Sequence, residues 1–191
     1  MAIFSLNMGF VSRSEGRSSV GVSAYISGGK GKDERTGQGY NYLKKEEVVA
    51  SCMLAPKDAP AWAKDRNTLW NRAEKFEDQV ANLRFRGGEK SQKAKENFLN
   101  STQTAQTVMG ALPLELTLEQ GEYVVENFLE RRFVSRGLVV EYAIHDDKGN
   151  PHFHALVTRR PLVEGQFSQR KDSEIVSRSE HIKTREMWAE V

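Results

Sequence analysis

Hydrophobic and polar positions follow two different periods along the chain, and these periods divide it into predicted strands and helices. Residues 2–12 contain many β-forming side chains in broken alternation and predict a strand. Residues 105–112 predict a second strand, which Pro113 would end. Apolar side chains recur at helical spacing in residues 58–80 and 117–132, so these two segments predict long amphipathic helices.

The pattern between these elements is shorter or weaker. Residues 18–29 predict a short helix, with a serine cap at its start and a glycine pair at its end. Residues 40–54 have the aromatic and β-branched content of a strand pair. Residues 83–104 show no clear apolar period, and we expect a flexible loop with some helix there.

A β-hairpin is predicted near the C-terminal end of the chain. Residues 138–146 and 152–160 have strand character, and the residues between them, Asp-Lys-Gly-Asn-Pro, are dense in turn formers. Side chains alternate between the two faces of a strand, so His152 and His154 would share one face. The turn would return His145 to a position beside His152.

Three of the four histidines in the chain would therefore converge on one patch of the sheet. Three imidazoles can hold a divalent ion and leave a position open for a substrate oxygen. Imidazole prefers Zn, Ni or Cu to Mg, and the residues do not fix the metal. The alternative is a packed or exposed trio that holds no ion. The fourth histidine, His181, lies in a polar tail and is predicted to be a surface residue.

Length and composition indicate one globular domain over residues 1–191, with 38% hydrophobic and 28% charged residues. The single cysteine, Cys52, excludes an internal disulfide and favours a cytoplasmic protein. The N-terminus lacks the pattern of a signal peptide, and no apolar run approaches the ~18 residues of a membrane helix. The last residues look like a helix interrupted partway, so we expect a longer protein to continue beyond Val191.

Charge is unevenly distributed although the net charge is only +2. Residues 84–95 carry five basic residues against one glutamate, whereas residues 115–130 carry five glutamates and no lysine or arginine. Such clustering can make a basic, nucleic-acid-binding strip on a nearly neutral protein. A solvated helix face is the alternative explanation for either run.

Four segments in this order resemble the relaxase domain of the MobA/MobL (MobQ) family of plasmid mobilisation proteins, within the nucleases named for a His-hydrophobe-His motif. The segments are SRSEGRSSVGVSAYISG, APAWAKDRNTLWNRAE, ALPLELT and AIHDDKGNPHFHALVTRRPL, and the similarity spans residues 2 to 190. The resemblance implies an α+β fold, in which helices flank a central antiparallel sheet with the histidine strands at its centre. It also implies Mg²⁺ or Mn²⁺ on His145, His152 and His154, with Tyr25 as nucleophile.

The resemblance further implies a substrate and partners. The substrate would be single-stranded DNA at a plasmid transfer origin, nicked at one phosphodiester to give a 5′-phosphotyrosine and a free 3′-OH. Accessory mobilisation proteins and a coupling protein would assist in the bacterial cytoplasm. Arg13, Arg17 and Lys30 lie close to Tyr25 in sequence and could neutralise neighbouring phosphates. The alternative for these three residues is ordinary surface charge.

The chain departs from the family where an Ala-Arg-Glu-type segment usually precedes the Leu-Pro. The matching residues here are Ala105, Gln106 and Thr107, and neither Gln nor Thr is a general base near neutral pH. Glu141, on the strand face of His145, is one candidate to take the proton of the tyrosine or to orient a histidine. Glu74 is the other candidate for the proton acceptor. The alternative is that Glu74 is a solvated carboxylate on a helix.

Three other functions remain open from the sequence. A rolling-circle replication initiator would share the chemistry but act at a replication origin. An origin-binding protein with weakened catalysis would account for Gln106 and Thr107. A metal-dependent hydrolase of a small molecule would use the three histidines without Tyr25.

Overall fold

A five-stranded antiparallel sheet, in the order β1-β5-β7-β6-β4, is the centre of this computed structural model, which describes residues 5–147 and 149–190. Two short strand pairs, β2-β3 and β8-β9, lie outside that sheet. Along the chain the elements are β1 (Leu6–Ser12), α1 (Ser19–Ile26), β2 (Lys30–Lys32), β3 (Gly39–Asn41), β4 (Val48–Leu54), α2 (Arg66–Arg84), α3 (Glu89–Ser101), β5 (Gln103–Ala111), α4 (Leu118–Arg132), β6 (Val140–Asp146), β7 (Pro151–Thr158), β8 (Leu162–Val163), β9 (Gln166–Phe167) and α5 (Arg178–Ala189).

Helices cover both faces of the sheet, so the predicted α+β class is confirmed. On one face, Phe128 of α4 and Trp188 of α5 pack against Phe153 of β7 in a continuous buried cluster. On the other face, a second cluster joins α1 and α2 to the sheet through residues such as Trp70 and Leu156. Because side chains alternate along β7, the even-numbered residues of that strand face α1 and α2, while the odd-numbered ones face α4 and α5.

The histidine hairpin has the predicted register. Strands β6 and β7 are antiparallel neighbours, and β7 is the middle strand of the sheet. His145 lies opposite His152 across the pair, and His154 lies opposite Ala143. The histidine strands at the centre of the sheet are therefore confirmed.

The start of one long predicted helix, α4, agrees with the structure, whereas the start of the other, α2, does not. The hydroxyl of Thr117 accepts a hydrogen bond from the amide of Gln120, whose side chain returns one, and this capping box starts α4 one residue later. The other prediction, a helix over residues 58–80, was wrong at its start. Residues 61–64 form a single 3₁₀ turn, and the Asp65 carboxylate caps α2 through the amide of Thr68.

Residues 83–104, for which a flexible loop with some helix was predicted, are more regular than expected. They hold the end of α2, the whole of α3 and the first residues of β5. Helix α3 buries no residue completely, and its half-buried face carries only three apolar residues, Ala94, Phe98 and Leu99, so the apolar pattern is weak. It is joined to α2 through the rings of Phe85 and Phe98, whose centroids are 5.6 Å apart.

Other boundaries also changed. Residues 40–54 do contain two strands, but β3 pairs with β2 and β4 pairs with β6 rather than with each other. The C-terminal helix begins at Arg178, earlier than the pattern indicated. Residues 2–4 of the first predicted strand lie outside the described residues. In the part of the chain that is described, no helix is both long and apolar enough to cross a bilayer.

Candidate active site

Three imidazole rings meet on the sheet face that is turned toward α1. The ligand atoms of His145, His152 and His154 all lie within 4.8 Å of one another. Their ring centroids are 4.6 to 5.5 Å apart. The convergence follows from the pleat, which aims alternate residues of β7 and their neighbour on β6 at one point.

Backbone carbonyls determine which nitrogen each of two histidines offers. Nε2 of His145 donates a hydrogen bond to the carbonyl of Ile26 at 2.6 Å, so Nδ1 keeps its lone pair. Nδ1 of His152 donates to the carbonyl of Asn150 at 2.8 Å, which leaves Nε2 free. Such outer hydrogen bonds fix the tautomer and the orientation of metal-ligating imidazoles.

The electrostatics of the cluster suit metal binding. Burial, together with the neighbouring histidines, lowers the pKa of His154 to about 3. Burial also lowers the pKa of His145, despite the hydrogen bond to Ile26. Both rings are therefore neutral near pH 7, the form that coordinates a metal. Three imidazole donors at this spacing fit the divalent ion that the family implies, with positions left for a substrate oxygen.

Tyr25 lies in the last turn of α1, beside this cluster. Its side chain is 46% exposed, and the edge of its ring meets the ring of Tyr42 at a centroid distance of 5.4 Å. The next residue, Ile26, provides the carbonyl that holds His145. Tyr25 and His154 also line one surface cleft of about 360 Å³. The structure thus brings together the predicted nucleophile and the predicted ligands.

Lys45 is a member of the site that the sequence did not single out. Its Nζ lies 3.9 Å from the centroid of the Tyr25 ring and 3.4 Å from Nδ1 of His145. The ammonium also pairs with a carboxylate oxygen of Glu47 at 3.2 Å. It is one of four consecutive charged residues, 44–47, and no local pattern distinguishes the lysine that turns inward from its neighbour Lys44.

Glu141 shares the strand face of His145, as predicted, but its partners lie on α2. The carboxylate is fully buried and accepts hydrogen bonds from Arg66 and Trp70. Burial raises its pKa, although Arg66 opposes that effect. Four residues of strand separate it from His145, or about 13 Å along β6. This distance separates Glu141 from the His145 ring.

Glu74 lies at the opposite end of α1 from Tyr25. One of its oxygens accepts a hydrogen bond from the amide of Ser19 at 2.8 Å, which caps the start of the helix. The other oxygen pairs with Arg13 at 3.2 Å. Tyr25 is six residues further on, about 9 Å along the axis. The predicted role of Glu74 as a proton acceptor for Tyr25 does not fit this placement.

The three predicted DNA-binding residues have different surroundings. The side chain of Arg13 is only 6% exposed, because Glu74 and Asp78 bind its guanidinium. The prediction that Arg13 binds a DNA phosphate was therefore wrong. Arg17 is 43% exposed and lines the same cleft as Tyr25. Lys30 is exposed on β2.

Gln106 and Thr107 of β5, which depart from the family pattern, lie on opposite faces of the sheet. Thr107 lines the cleft with Tyr25 and His154. Gln106 is buried, and its amide nitrogen has no hydrogen-bond partner among the described residues. Strand alternation turns Gln106 to the opposite face, so only Thr107 is placed where a side chain could act on Tyr25.

An antiparallel sheet that presents a His-Phe-His strand beside an exposed tyrosine matches the class predicted from the sequence, the His-hydrophobe-His proteins. The comparison with protein families is more specific. The model of the MobA/MobL family matches residues 17–85 and 89–190, and the chain belongs to this family.

Individual relatives agree with this family. The conjugal transfer protein TraA of Agrobacterium fabrum is 30% identical over 205 aligned residues, which cover 99% of this chain but 17% of TraA. A probable mobilization protein MobA of Bifidobacterium longum is 32% identical over 85% of this chain and 26% of its own length. The chain thus spans about a sixth to a quarter of these relatives.

A solved structure is also similar. It is described as the molecular basis of vancomycin resistance transfer in Staphylococcus aureus, and it is 27% identical in sequence. The TM-score is 0.80, and the match covers 98% of this chain and 89% of that one. The similarity extends over the whole sheet and its helices rather than over the histidine hairpin alone.

Proposed function

We propose that this chain is a relaxase domain that nicks one DNA strand at a plasmid transfer origin during conjugative mobilisation. One observation carries the proposal. The carbonyl of Ile26, next to Tyr25, binds the His145 ring, which joins an exposed phenol to a three-imidazole cluster. The relatives named for conjugal transfer and mobilisation support the biological setting, in which the domain acts in the bacterial cytoplasm.

The proposed reaction is a transesterification. The phenolic oxygen of Tyr25 attacks the phosphorus of one phosphodiester, and the bond from phosphorus to the 3′ oxygen breaks. The products are a 5′-phosphotyrosine and a 3′-OH, which takes up a proton as it leaves. The exposed position of Tyr25 lets the phenol proton pass to water, since Glu74 and Glu141 are engaged elsewhere. The covalent link allows the strand to be rejoined by the reverse step.

His145, His152 and His154 would hold the divalent ion, Mg²⁺ or Mn²⁺. Such an ion offsets the negative charge on a non-bridging phosphate oxygen during displacement. The residues of the chain provide the geometry. Arg17 borders the cleft and can bind a flanking phosphate, and we propose the same for the exposed Lys30 on β2. Accessory mobilisation proteins and a coupling protein remain proposed partners of the longer protein.

Covalent capture of DNA tests this function. Labelled single strands that tile the DNA flanking the gene are incubated with the protein and Mn²⁺ or Mg²⁺, and the products are separated on a denaturing gel. We expect one tile to give a protein-linked strand and a shorter strand with a 3′-OH. Tyr25→Phe should abolish both products and keep DNA binding. Tyr42→Phe, which removes the neighbouring hydroxyl only, should still form the adduct.

Other outcomes would change either the identity of the nucleophile or the proposed function. An adduct that persists in Tyr25→Phe and disappears in Tyr42→Phe would show that Tyr42 is the nucleophile. A reactive tile at a replication origin instead of a transfer origin would indicate a rolling-circle initiator.

A second candidate is an origin-binding protein with weakened catalysis. The placement of Thr107 beside Tyr25, with both predicted glutamates bound to other groups, favours this candidate. Specific binding of one tile without any adduct in Mn²⁺ would support it over the relaxase.

A further inference from the structure

Lys45 is turned into the site by a short turn between β3 and β4. Its backbone amide bonds to the carbonyl of Tyr42 at 3.0 Å, so one turn delivers both the Tyr42 ring and the Lys45 side chain to Tyr25. Gly28, just after α1, makes this close approach possible. Its φ is +62°, and a Cβ there would lie 3.1 Å from the Val48 side chain.

The surroundings of the Lys45 side chain are unusual for a lysine. Only 10% of it is exposed, whereas Lys44 beside it in sequence is exposed. Among the described residues its ammonium has one carboxylate partner, Glu47, which is itself partly open to solvent. The rest of the ammonium faces the π-surface of Tyr25 and donates a hydrogen bond to Nδ1 of His145 at 3.4 Å. A structural ion pair alone would not require either of these two neighbours.

We propose that Lys45 is a positioning residue that keeps a positive charge between Tyr25 and the histidine cluster. In this place it orients the phenol ring and offsets negative charge on the phosphate that Tyr25 attacks. This role rests on the proposed nicking function.

The placement has a second consequence that does not depend on DNA. A fixed ammonium 3.4 Å from a ligand nitrogen repels a divalent cation bound at that nitrogen. Removal of the charge should therefore tighten the binding of Mn²⁺, while it slows the reaction. If Lys45 merely supported the structure of the histidine site, its substitution would weaken the binding of Mn²⁺.

The test uses three variants of the same protein. Lys45→Met keeps the apolar stem and removes the charge, Lys45→Arg keeps the charge, and Lys44→Met removes the exposed neighbouring charge. Titration calorimetry with Mn²⁺ gives the metal affinity. Single-turnover adduct formation at saturating DNA and Mn²⁺ gives the rate apart from binding, and thermal unfolding checks that each variant is folded.

We expect Lys45→Met to slow adduct formation about ten-fold or more at saturation. Lys45→Arg should stay within about three-fold of the parent, because it retains the charge. The dissociation constant for Mn²⁺ should fall about three-fold in Lys45→Met, since a repulsive charge is lost. Lys44→Met should match the parent in both measurements.

Three results would overturn the proposal: a parental rate in Lys45→Met, an arginine variant as slow as the methionine variant, or unchanged or weaker Mn²⁺ binding in Lys45→Met. Failure of the nicking function would look different. In that case the parent protein forms no adduct with any tile, and the Mn²⁺ titration alone decides whether the charge lies where we place it.

Discussion

At the residue scale, main-chain carbonyls orient two of the three clustered histidines. His145 and His152 each donate one ring N–H to a carbonyl, of Ile26 and of Asn150. A carbonyl partner cannot be removed by a side-chain substitution, so the tautomers are fixed by the fold itself. The cluster should therefore respond to loss of a ligand imidazole more than to changes around it.

Loss of one ligand gives the first prediction at this scale. Mn²⁺ at about 100 times its dissociation constant should stabilise the parent by about 2.7 kcal/mol, because only the folded state presents the site. His154→Ala should lose most of this increase at the same concentration. Thermal unfolding with and without Mn²⁺ measures the difference. His181→Ala, which removes a half-buried imidazole on α5, is the control and should keep the full response.

How much of the site can be predicted also depends on the residue. Strand alternation and the turn were enough to group the three histidines, because both are local properties of β6 and β7. The prediction of Tyr25 as the nucleophile depended on the family resemblance. The partners of Glu74 and Glu141 could not be predicted, since Arg13 and Arg66 meet them only through tertiary packing. Lys45 was missed for the same reason.

At the element scale, β7 serves the site on one face and the core on the other. Phe153 lies between His152 and His154 in sequence and packs against Phe128 and Trp188. The position of each imidazole is therefore coupled to the packing of α4 and α5. Strand alternation places Phe153 on the face opposite His152 and His154, but the helices that it meets could not be predicted from the sequence. The extent of α3 was not predicted either, because this helix buries no residue completely.

A substitution beneath Phe153 tests this coupling. A Cβ on Gly110 would lie 2.4 Å from Cε1 of Phe153, which is enclosed by other rings and cannot move aside. Alanine usually gains about 0.5–1 kcal/mol over glycine within a strand, but overpacking should outweigh this gain. We expect Gly110→Ala to lower the free energy of unfolding by about 1–3 kcal/mol and to weaken Mn²⁺ binding.

Urea unfolding and Mn²⁺ titration measure the two effects. Gly39→Ala is the control, because a Cβ there meets nothing within 4 Å. Parental stability in Gly110→Ala would show that the core yields more easily than its packing indicates.

At the scale of the whole molecule, a buried ion cluster ties α2 to the end of the central strand. Glu77 of α2 binds Arg160 through both oxygens, at 2.8 and 2.9 Å, and pairs with Lys171 at 3.3 Å. Burial by itself would raise the pKa of Glu77, but the hydrogen bonds from Arg160 and the charge of Lys171 outweigh burial and lower it. Segments far apart in sequence are thereby held in one unit.

The lowered pKa predicts how stability depends on pH. The contribution of Glu77 is complete above the ordinary glutamate pKa and is lost as pH falls through the lower pKa of the folded state. Glu77→Gln leaves Arg160 without its buried partner, so we expect a loss of about 3–5 kcal/mol at pH 7. The difference from the parent should shrink toward pH 3.

Urea unfolding at several pH values measures this change. Glu186→Gln, at an exposed position of α5, should leave the pH dependence unchanged. A difference between Glu77→Gln and the parent that stays constant with pH would contradict the assignment.

The exposure of Tyr25 in a surface cleft has a topological consequence. The circular plasmid that we propose as substrate offers no strand end, so an enclosed tunnel would exclude it. A cleft at the surface accepts a strand laterally, and the substrate needs only to be unpaired over a short length. Negative supercoiling, which favours strand separation, would then replace a free end as the condition for entry, and the captured strand would remain accessible for resealing.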